Sequence, residues 1–573
     1  MQFGLAVNFA GNFSTKIKVL VGFSFFLLCS FPAADAGAAS GATHGMVATA
    51  NPLATDIGLA VLKQGGNAVD AAVAAGFALG VTDPQSSGIG GGCFMLIHLA
   101  DGTNICLDGR EMAPAAATRD MFVRNGKGDT QLSQTGPLAS GVPGEVAAFE
   151  LAVSRFGKRT LSELVIPAAD LAEHGYKLRA RGAEAIKATA AELAGFKSST
   201  AIFFRNGSPL AEGEILRQPD LAATYSNIGA HGGDWFYRGP FAQAAAAWMK
   251  ANGGLLSAAD FANYHVEVRE PVETSYRGYE VVSFPPPSSG GIHVLEMLNI
   301  LENFNLKAMG EDARLHVMAE AMKLAFADRA YWMGDPGFAK VPRGLIDKKY
   351  AGELAQKIDL QHAIAVASHG LPPGWQTDVF KKHTSHFSVA DEEGNWVACT
   401  ATINTYFGSK VVVPGTGVVL NDEMDDFSVQ AGVPNAFGLV GGDANSVEPG
   451  KRPLSSMSPS IVFKDGRPVI ALGAAGGPKI ITSVLQELVD MIDIGLTPAE
   501  ALAAPRIHQQ WSPDELMVES KLPASVKKLL AQRGHKIHEI KEFATSQIVA
   551  RSADGKTLVG AADPRAGGSA AGW

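Results

Sequence analysis

Residues 381–408, KKHTSHFSVADEEGNWVACTATINTYFG, carry the side chains of this sequence that are best placed for chemistry. Thr384 and Ser385 lie between His383 and His386, at the start of a segment with the two-residue alternation of a β-strand. The chain contains no G-x-S-x-G nucleophile elbow and no H-E-x-x-H zinc motif. A threonine hydroxyl at the start of a strand is therefore the candidate nucleophile.

A threonine hydroxyl is a poor nucleophile unless a base lies beside it. One solution is to make the threonine an N-terminus, so that its own α-amine takes the proton. An α-amine has a pKa of about 7.7–8.0, which leaves roughly a sixth of it as free base at pH 7. That N-terminus has to be created by a cut between His383 and Thr384. An ordinary strand threonine is the alternative that this stretch alone leaves open.

Two pairs of histidines have the H-x-x-H spacing, His383 with His386 and His535 with His538. In a strand that begins at residue 384, side chains three positions apart point to opposite faces, which suits a shared metal ion poorly. We therefore expect no metal site. The run SSGIGGGCFML at 86–96 lacks the glycine-lysine pattern of nucleotide-binding loops, so it predicts a tight turn before a strand.

The segments around these residues predict the elements that position them. Residues 45–82 indicate a strand and two helices, the first helix capped by Thr55 or Asp56 and the second by Asn67. The periodic segment RLHVMAEAMKLAFADRAYWMGDP predicts a long helix, and residues 384–408 predict a hairpin with a Gly-Asn turn. The chain is thus helix-rich before about residue 375 and sheet-rich after 384.

Composition and the N-terminus limit the class of protein. The 573 residues carry a formal net charge of −9 without a basic stripe, which argues against nucleic acid and anionic membranes as partners. Lys16 and Lys18 precede the apolar run VLVGFSFFLLCSF, and Ala34 and Ala36 follow it, as in a signal peptide spanning 1–36. We expect an exported protein, periplasmic or secreted; an uncleaved anchor is the alternative.

Three cysteines remain outside that leader: Cys93, Cys106 and Cys399. An odd number excludes a full disulfide framework, although a Cys93–Cys106 bridge is possible. Each lies in an apolar run, where a buried thiol behaves as a small hydrophobic side chain.

Seven segments between about residue 44 and the C-terminus together resemble the γ-glutamyltransferase (γ-glutamyltranspeptidase) family of N-terminal nucleophile hydrolases. They occur in the family's order: GGNAVDAAVAAGFALGVTDPQSSGIGGGCFML, DGREMAPAAAT, LAFADRAYWMGDP, TSHFSVADEEGNWVACTATINTYFGS, NDEMDDFS, PNAFGLVGGDANSVEPGKRPLSSMSPSIV and APRIHQQW. The resemblance implies an α+β fold, a four-layer αββα sandwich. It also implies self-cleavage before Thr384 into a large subunit, 37–383, and a small catalytic subunit, 384–573, which remain a heterodimer. No metal or organic cofactor is implied.

The same resemblance assigns roles to the remaining site residues. The catalytic set gains a threonine that orients the nucleophile and two glycines whose backbone N–H groups stabilise the oxyanion: Thr402, Gly476 and Gly477. The α-carboxylate of the donor is expected to bind three residues, Arg110, Ser455 and Ser456. Its α-ammonium is expected to bind three others, Asn404, Glu423 and Asp426. On an alternating strand Thr402 and Asn404 would share a face.

Two departures from the family pattern concern the walls of the site. Ala475 and Pro478 flank the glycines where the family commonly has proline and serine, which changes the shape of this loop. Phe437 lies in a lid-like loop at a position that is tyrosine in some members. A phenylalanine can wall off the site but cannot hydrogen-bond across it, so the lid is expected to close less firmly. Ser385 is interpreted as a supporting hydroxyl.

The implied activity is γ-glutamyl transfer from glutathione or a similar donor, through a γ-glutamyl-threonine ester, to water or to an amino acid or peptide amine. A glutaryl or cephalosporin-type acylase that uses the same threonine is one alternative, although Glu423 and Asp426 favour an ammonium that a glutaryl group lacks. A non-enzymatic binding protein that kept the fold without cleavage is the other. It would give one band at the full mass of 59.9 kDa on a denaturing gel.

Overall fold

Two seven-stranded antiparallel sheets dominate the computed structural model, which describes residues 38–380, 387–541 and 543–573. Sheet I contains, in spatial order, Ala38–Ala42, Leu558–Ala562, Thr545–Arg551, Arg467–Ala475, Ser460–Lys464, Tyr279–Ser283 and Val272–Tyr276. Sheet II contains, in spatial order, Glu267–Arg269, Asn104–Gly109, Gly92–His98, Trp396–Thr402, Phe387–Asp391, Gly45–Thr49 and Ser569–Gly572. Each sheet takes strands from both sides of residue 384. The predicted helix-rich and sheet-rich parts, as far as the structure describes them, therefore form one compact unit.

The remaining strands are short and belong to small peripheral sheets. Three are two-stranded: Tyr176–Lys177 with Ile215–Leu216, Val123–Arg124 with Lys127–Gly128, and Phe204–Arg205 with Ser208–Pro209. One is three-stranded and contains Ile507–His508, Leu516–Glu519 and Ile537–Ile540.

Helices cover the outer face of each sheet. The core of sheet II includes side chains from Pro52–Lys63, Ala68–Thr82, Glu145–Phe156, Leu161–His174, Ala180–Ala188, Ala190–Leu193, Lys197–Phe203, Pro219–His231, Gly233–Tyr237, Pro240–Asn252 and Ala258–Ala262. The core of sheet I includes side chains from Gly290–Leu301, Glu311–Trp332, Lys348–Ala355, Lys479–Val489, Pro498–Ala503 and Ala524–Gln532. The one-turn helix Gln131–Gln134 lies beside a small separate core.

Three separate hydrophobic cores confirm the four-layer αββα sandwich. One lies between sheet II and its helices, one between sheet I and its helices, and the third between the two sheets. Strand Gly92–His98 shows the consequence for sequence. Met95 and Ile97 face the helices while Leu96 faces the other sheet, so the strand is apolar throughout because both faces are buried.

Local capping follows the sequence at one of the two predicted helix starts. Asn67 caps the helix Ala68–Thr82, and its side chain accepts hydrogen bonds from two backbone N–H groups. The predicted cap of the preceding helix, Thr55 or Asp56, is wrong. Pro52 occupies the first helical position, where its fixed φ suits a helix start, and Asn51 accepts from the N–H of Leu53.

The predicted hairpin is confirmed and is anchored by one carboxylate. Phe387–Asp391 pairs with Trp396–Thr402 in the antiparallel sense. Oδ1 of Asp391 accepts from the backbone N–H groups of the turn, Glu393, Gly394 and Asn395, at 2.9–3.0 Å. Its Oδ2 accepts from the N–H of Ala68 at 2.9 Å, which fixes the hairpin to the start of a helix.

Within the described residues, Cys93, Cys106 and Cys399 form no disulfide bond. The possible Cys93–Cys106 bridge does not form, because Cys93 pairs with Gly109 and Cys106 pairs with Leu96, three rows along the same ladder. In the described parts of the chain, no helix has the length and apolar character needed to cross a membrane. The predicted leader, 1–36, lies outside the described residues.

Candidate functional site

One cavity of about 1070 Å³ is lined by every predicted site residue that the structure describes. These are Arg110, Thr402, Asn404, Glu423, Asp426, Ser455, Ser456, Gly476 and Gly477, together with Phe437 of the lid-like loop. His383, Thr384 and Ser385 lie outside the described residues, so their assignment stays a prediction.

Strand direction brings the first two of these residues to the same edge of sheet II. Arg110 follows the strand Asn104–Gly109, and Thr402 ends the strand Trp396–Thr402. Both strands run antiparallel to Gly92–His98, which lies between them, so they are parallel to each other and end on the same side. Residues far apart in the sequence are thereby placed around one opening.

The diglycine needs glycine at both positions. Gly476 has φ +147° and Gly477 has φ +60°, in the region that side chains other than glycine rarely adopt. A Cβ on Gly476 would lie 2.7 Å from Cα of Ala544, and one on Gly477 would lie 2.6 Å from a ring carbon of Phe437. Pro478 follows in helical conformation and starts the next helix. The bare backbone of the diglycine therefore faces the cavity at a helix N-terminus, where the dipole favours negative charge.

Arg110 is the centre of the charged wall of the cavity. Its side chain is 1% exposed, and Nη2 donates to Asp426 at 2.5 Å while Nη1 donates to Glu423. Nε donates to the carbonyl of Pro453 at 3.1 Å, which sets the plane of the guanidinium. A third carboxylate, Glu111, lies 3.7 Å away. The proposed carboxylate-binding group, Arg110, and the proposed ammonium-binding groups, Glu423 and Asp426, thus form ion pairs with each other.

The pKa values of this wall reflect burial opposed by charge pairing. Burial raises the pKa of Glu423 well above its ordinary value and also raises that of Asp426, against the opposing effect of Arg110. Burial raises the pKa of Glu111 to about 8, so this carboxyl is largely protonated at pH 7. For Arg110 burial acts to lower the pKa, but the carboxylates outweigh it and raise the pKa.

A second buried guanidinium, Arg329, lies behind Ser456, and the sequence patterns did not point to it. Its Nη2 donates to Oγ of Ser456 at 3.2 Å and its Nε donates to Oγ of Ser289 at 2.9 Å. Burial lowers the pKa of Arg329 to about 10, with Asp426 opposing. Within the described ranges no carboxylate forms an ion pair with it. The segment LAFADRAYWMGDP contained the signal, but a charge inside a helix looks solvated until packing is known.

Thr402 and Asn404 form a turn rather than a continuing strand. The strand ends at Thr402, and Asn404 has φ +76°, which asparagine tolerates better than most residues. The predicted shared strand face is therefore wrong, although both side chains line the cavity. Oγ of Thr402 accepts from the N–H of Asn404 at 2.8 Å, and Nδ2 of Asn404 donates to the carbonyl of Asp422 at 3.0 Å.

The lid-like loop is connected to the charged wall. Oδ1 of Asn435 accepts from the N–H of Phe437 at 3.0 Å, while its Nδ2 donates to Asp426 at 3.4 Å. Gln510 donates to the carbonyl of Gly438 at 3.1 Å. The ring of Phe437 is thus held over the cavity by backbone and amide contacts.

Comparison with known proteins places this site in context. A sequence model described as Gamma-glutamyltranspeptidase matches residues 54–573. The glutathione hydrolase proenzyme of Escherichia coli (strain K12) is 47% identical over 529 residues, which cover 91% of this chain and 91% of that protein. The crystal structure of a cephalosporin acylase from Bacillus halodurans has a TM-score of 0.85 at 31% identity, over 96% of this chain and 99% of that one. A chain of the Helicobacter pylori gamma-glutamyltranspeptidase has a TM-score of 0.55 at 42% identity, over 59% of this chain and 96% of its own length.

Proposed function

The chain belongs to the gamma-glutamyltranspeptidase family, and from that premise we propose that it is a self-processing γ-glutamyltransferase and glutathione hydrolase. The observation that carries the proposal is the meeting of the buried guanidinium of Arg110 with the buried carboxyl of Glu423 and the partly exposed carboxyl of Asp426 beside the diglycine. A γ-glutamyl group presents an α-carboxylate and an α-ammonium at one end and the reacting carbonyl at the other. The cavity offers complementary groups to both ends.

Charge balance supports a zwitterionic ligand. Beside a ligand ammonium, Glu423 and Asp426 ionise against the burial that raises their pKa values, and the two carboxylates then balance the positive charges of Arg110 and Arg329. A group that carries one charge of each sign leaves this balance unchanged. A ligand with only a carboxylate would leave the two buried acids without an added cation, and buried unpaired charge is costly.

The reaction follows from the groups around the cavity. Oγ of Thr384 attacks the γ-carbonyl, and the α-amine of the same residue takes its proton. The N–H groups of Gly476 and Gly477 hold the oxyanion of the tetrahedral intermediate. The intermediate collapses to a γ-glutamyl ester, and the leaving amine departs with the proton. Oγ of Thr402 accepts from Asn404, so its own proton is free to be donated to the nucleophile.

In the second half of the reaction water or an amine attacks the ester and regenerates Thr384. The cavity is also lined by three cationic residues, Lys177, Arg179 and Arg181, and by two acidic ones, Glu184 and Glu212. The cationic side chains suit the terminal carboxylate of a leaving peptide or of an amino acid or peptide acceptor. The acceptor class we propose is therefore amino acids and short peptides.

Self-cleavage at the His383–Thr384 bond would give subunits 37–383 and 384–573. Since both sheets contain strands from the two sides of this bond, the pieces would stay together as a heterodimer without a covalent link. We also propose that the leader, 1–36, directs export to the periplasm or medium, on the basis of its lysines, apolar run and small residues.

A pair of anilide substrates tests the function against the acylase alternative, which the similarity to a cephalosporin acylase keeps in view. We expect γ-glutamyl anilide to be turned over with a kcat/KM at least about 100-fold above that of glutaryl anilide, because the glutaryl group leaves Glu423 and Asp426 without an ammonium. Release of the chromophore under matched conditions measures both. Equal or inverted values would indicate an acylase.

Replacing Arg329 by methionine is expected to raise KM for γ-glutamyl anilide about 10-fold and to leave kcat nearly unchanged, because Ser456 loses its charged hydrogen-bond donor. Initial-rate kinetics measure KM and kcat. The midpoint of thermal unfolding shows whether the variant is folded as stably as the wild type. The comparison substrate is 4-aminobutyryl anilide, which lacks the α-carboxylate and should show no change in KM. A similar loss on both substrates would mean that Arg329 only supports the fold.

A further inference from the structure

A second cluster of titratable groups lies outside the catalytic cavity. His316 and Glu320 are one turn apart on the helix Glu311–Trp332, so they share a face, and His535 lies just before the strand Ile537–Ile540. All three side chains are at most 1% exposed. One donor atom from each lies within 4.8 Å of those from the other two. None of the three lines the cavity described above.

Hydrogen bonding fixes the tautomers of the two imidazoles. Nε2 of His316 lies 2.7 Å from the carbonyl of Asp359 and must carry a proton, so its Nδ1 has a lone pair. That Nδ1 lies 2.8 Å from Nε2 of His535, which therefore donates to it. In a neutral imidazole the other nitrogen then carries no proton, so Nδ1 of His535 has a lone pair.

As a result, ring nitrogens and a carboxylate oxygen that carry no proton lie close together in this cluster. Nδ1 of His535 lies 4.0 Å from Oε1 of Glu320, where two acceptors face each other. In the described structure Oε1 accepts no hydrogen bond, although Nζ of Lys323 forms an ion pair with it at 3.2 Å. Lys323 has other partners, the carbonyl of Ile364 at 2.8 Å and Asp514 at 3.2 Å. It can therefore release the carboxylate to another cation.

We propose that His316, Glu320 and His535 bind a divalent transition-metal ion of the zinc class. Two neutral imidazoles and one carboxylate are a common ligand set for zinc, with water in the fourth position. Tetrahedral zinc separates its ligand atoms by about 3.3 Å, so the imidazole nitrogens would open by about 0.5 Å as the carboxylate moves in. When the metal takes the place of the proton between Nδ1 of His316 and Nε2 of His535, that proton moves to Nδ1 of His535, so both rings stay neutral.

His316 and Glu320 have the kind of hydrogen-bond partners that orient the ligands of a metal ion. The carbonyl of Asp359 accepts from His316, and the N–H of Ile364 donates to Oε2 of Glu320 at 2.8 Å, which leaves Oε1 for the metal. His316 and Glu320 precede residue 384 and His535 follows it. If the chain is cut as proposed above, the ion joins the two subunits; binding of the ion does not depend on that cut.

Zinc binding to the purified protein tests the proposal directly. After removal of metal with a chelator and dialysis into buffer, the wild-type protein titrated with zinc should bind one zinc ion per chain with a dissociation constant of about 10 µM or lower, measured by metal analysis at equilibrium. Zinc should raise the midpoint of thermal unfolding by about 3 °C. Cobalt in its place should give the visible absorption bands of a tetrahedral site. Wild-type protein without stoichiometric zinc and without a thermal shift would overturn the proposal.

Matched variants separate this cluster from adventitious binding. His535→Gln and Glu320→Gln should lose the zinc ion and the thermal shift. The control is His538→Gln on the neighbouring strand, whose side chain is 54% exposed, and it should bind zinc as the wild type does. Equal zinc binding by His535→Gln and wild type would place the metal elsewhere and refute the assignment. Turnover of γ-glutamyl anilide in the chelator-treated protein is a separate readout that tests only the proposed function.

Discussion

Replacing Thr384 by alanine is expected to leave the chain uncut and to lower turnover of γ-glutamyl anilide by at least about 10⁴-fold. In the proposed mechanism the hydroxyl is needed twice, first to attack the carbonyl of His383 and then to attack the γ-glutamyl donor. Without it neither the ester nor the new α-amine can form. A denaturing gel should show one band at the mass of the uncut chain, and the anilide assay should show no release above background.

The neighbouring hydroxyls provide the controls for this variant. Thr384→Ser retains a hydroxyl and should cleave and react, but slowly. Ser385→Ala should be processed normally, since the proposal assigns the nucleophile to Thr384 and only a supporting role to Ser385. N-terminal sequencing of the smaller fragment of the wild type should begin at Thr384. Normal processing of Thr384→Ala, or a different first residue, would contradict the proposed site.

Replacing Arg110 by lysine is expected to raise KM for γ-glutamyl anilide about 100-fold, or ~2.7 kcal/mol, while kcat changes by only a few-fold. Lysine keeps a positive charge beside Glu423 and Asp426 but cannot present two parallel N–H groups to a carboxylate. Initial-rate kinetics give KM and kcat separately. Self-cleavage, followed on a gel, should proceed at close to the normal rate.

The alanine variant at the same position separates binding from folding. Arg110→Ala removes the only buried partner that donates to both Glu423 and Asp426 in the described structure, and it should cost about 3–5 kcal/mol of unfolding free energy. With 4-aminobutyryl anilide, which has no α-carboxylate, Arg110→Lys should behave much as the wild type. Equal losses on both anilides would show that Arg110 is structural.

Features that depend on neighbours in sequence were predicted correctly in most places. The hairpin that ends in Thr402, the helix Glu311–Trp332 and the Asn67 cap all follow from local periodicity and turn chemistry. The predicted cap of the first helix was wrong because several polar residues near its start can act as caps. The helix begins at Pro52 in the folded chain, which makes Asn51 the cap. The alternation beyond Thr402 failed because a side-chain hydrogen bond to Asn404 ends the strand.

The sequence by itself determined the family motifs, the candidate nucleophile and the residue types that a γ-glutamyl donor requires. The folded chain, not the residue order, places Arg110 against Glu423 and Asp426, which follow it by more than 300 positions. It also placed Arg329 behind Ser456, and brought His535 to His316 from 219 positions away. The physical reason is that a helical or strand pattern reports which face of an element is buried, whereas the partner buried against it is chosen by packing across layers.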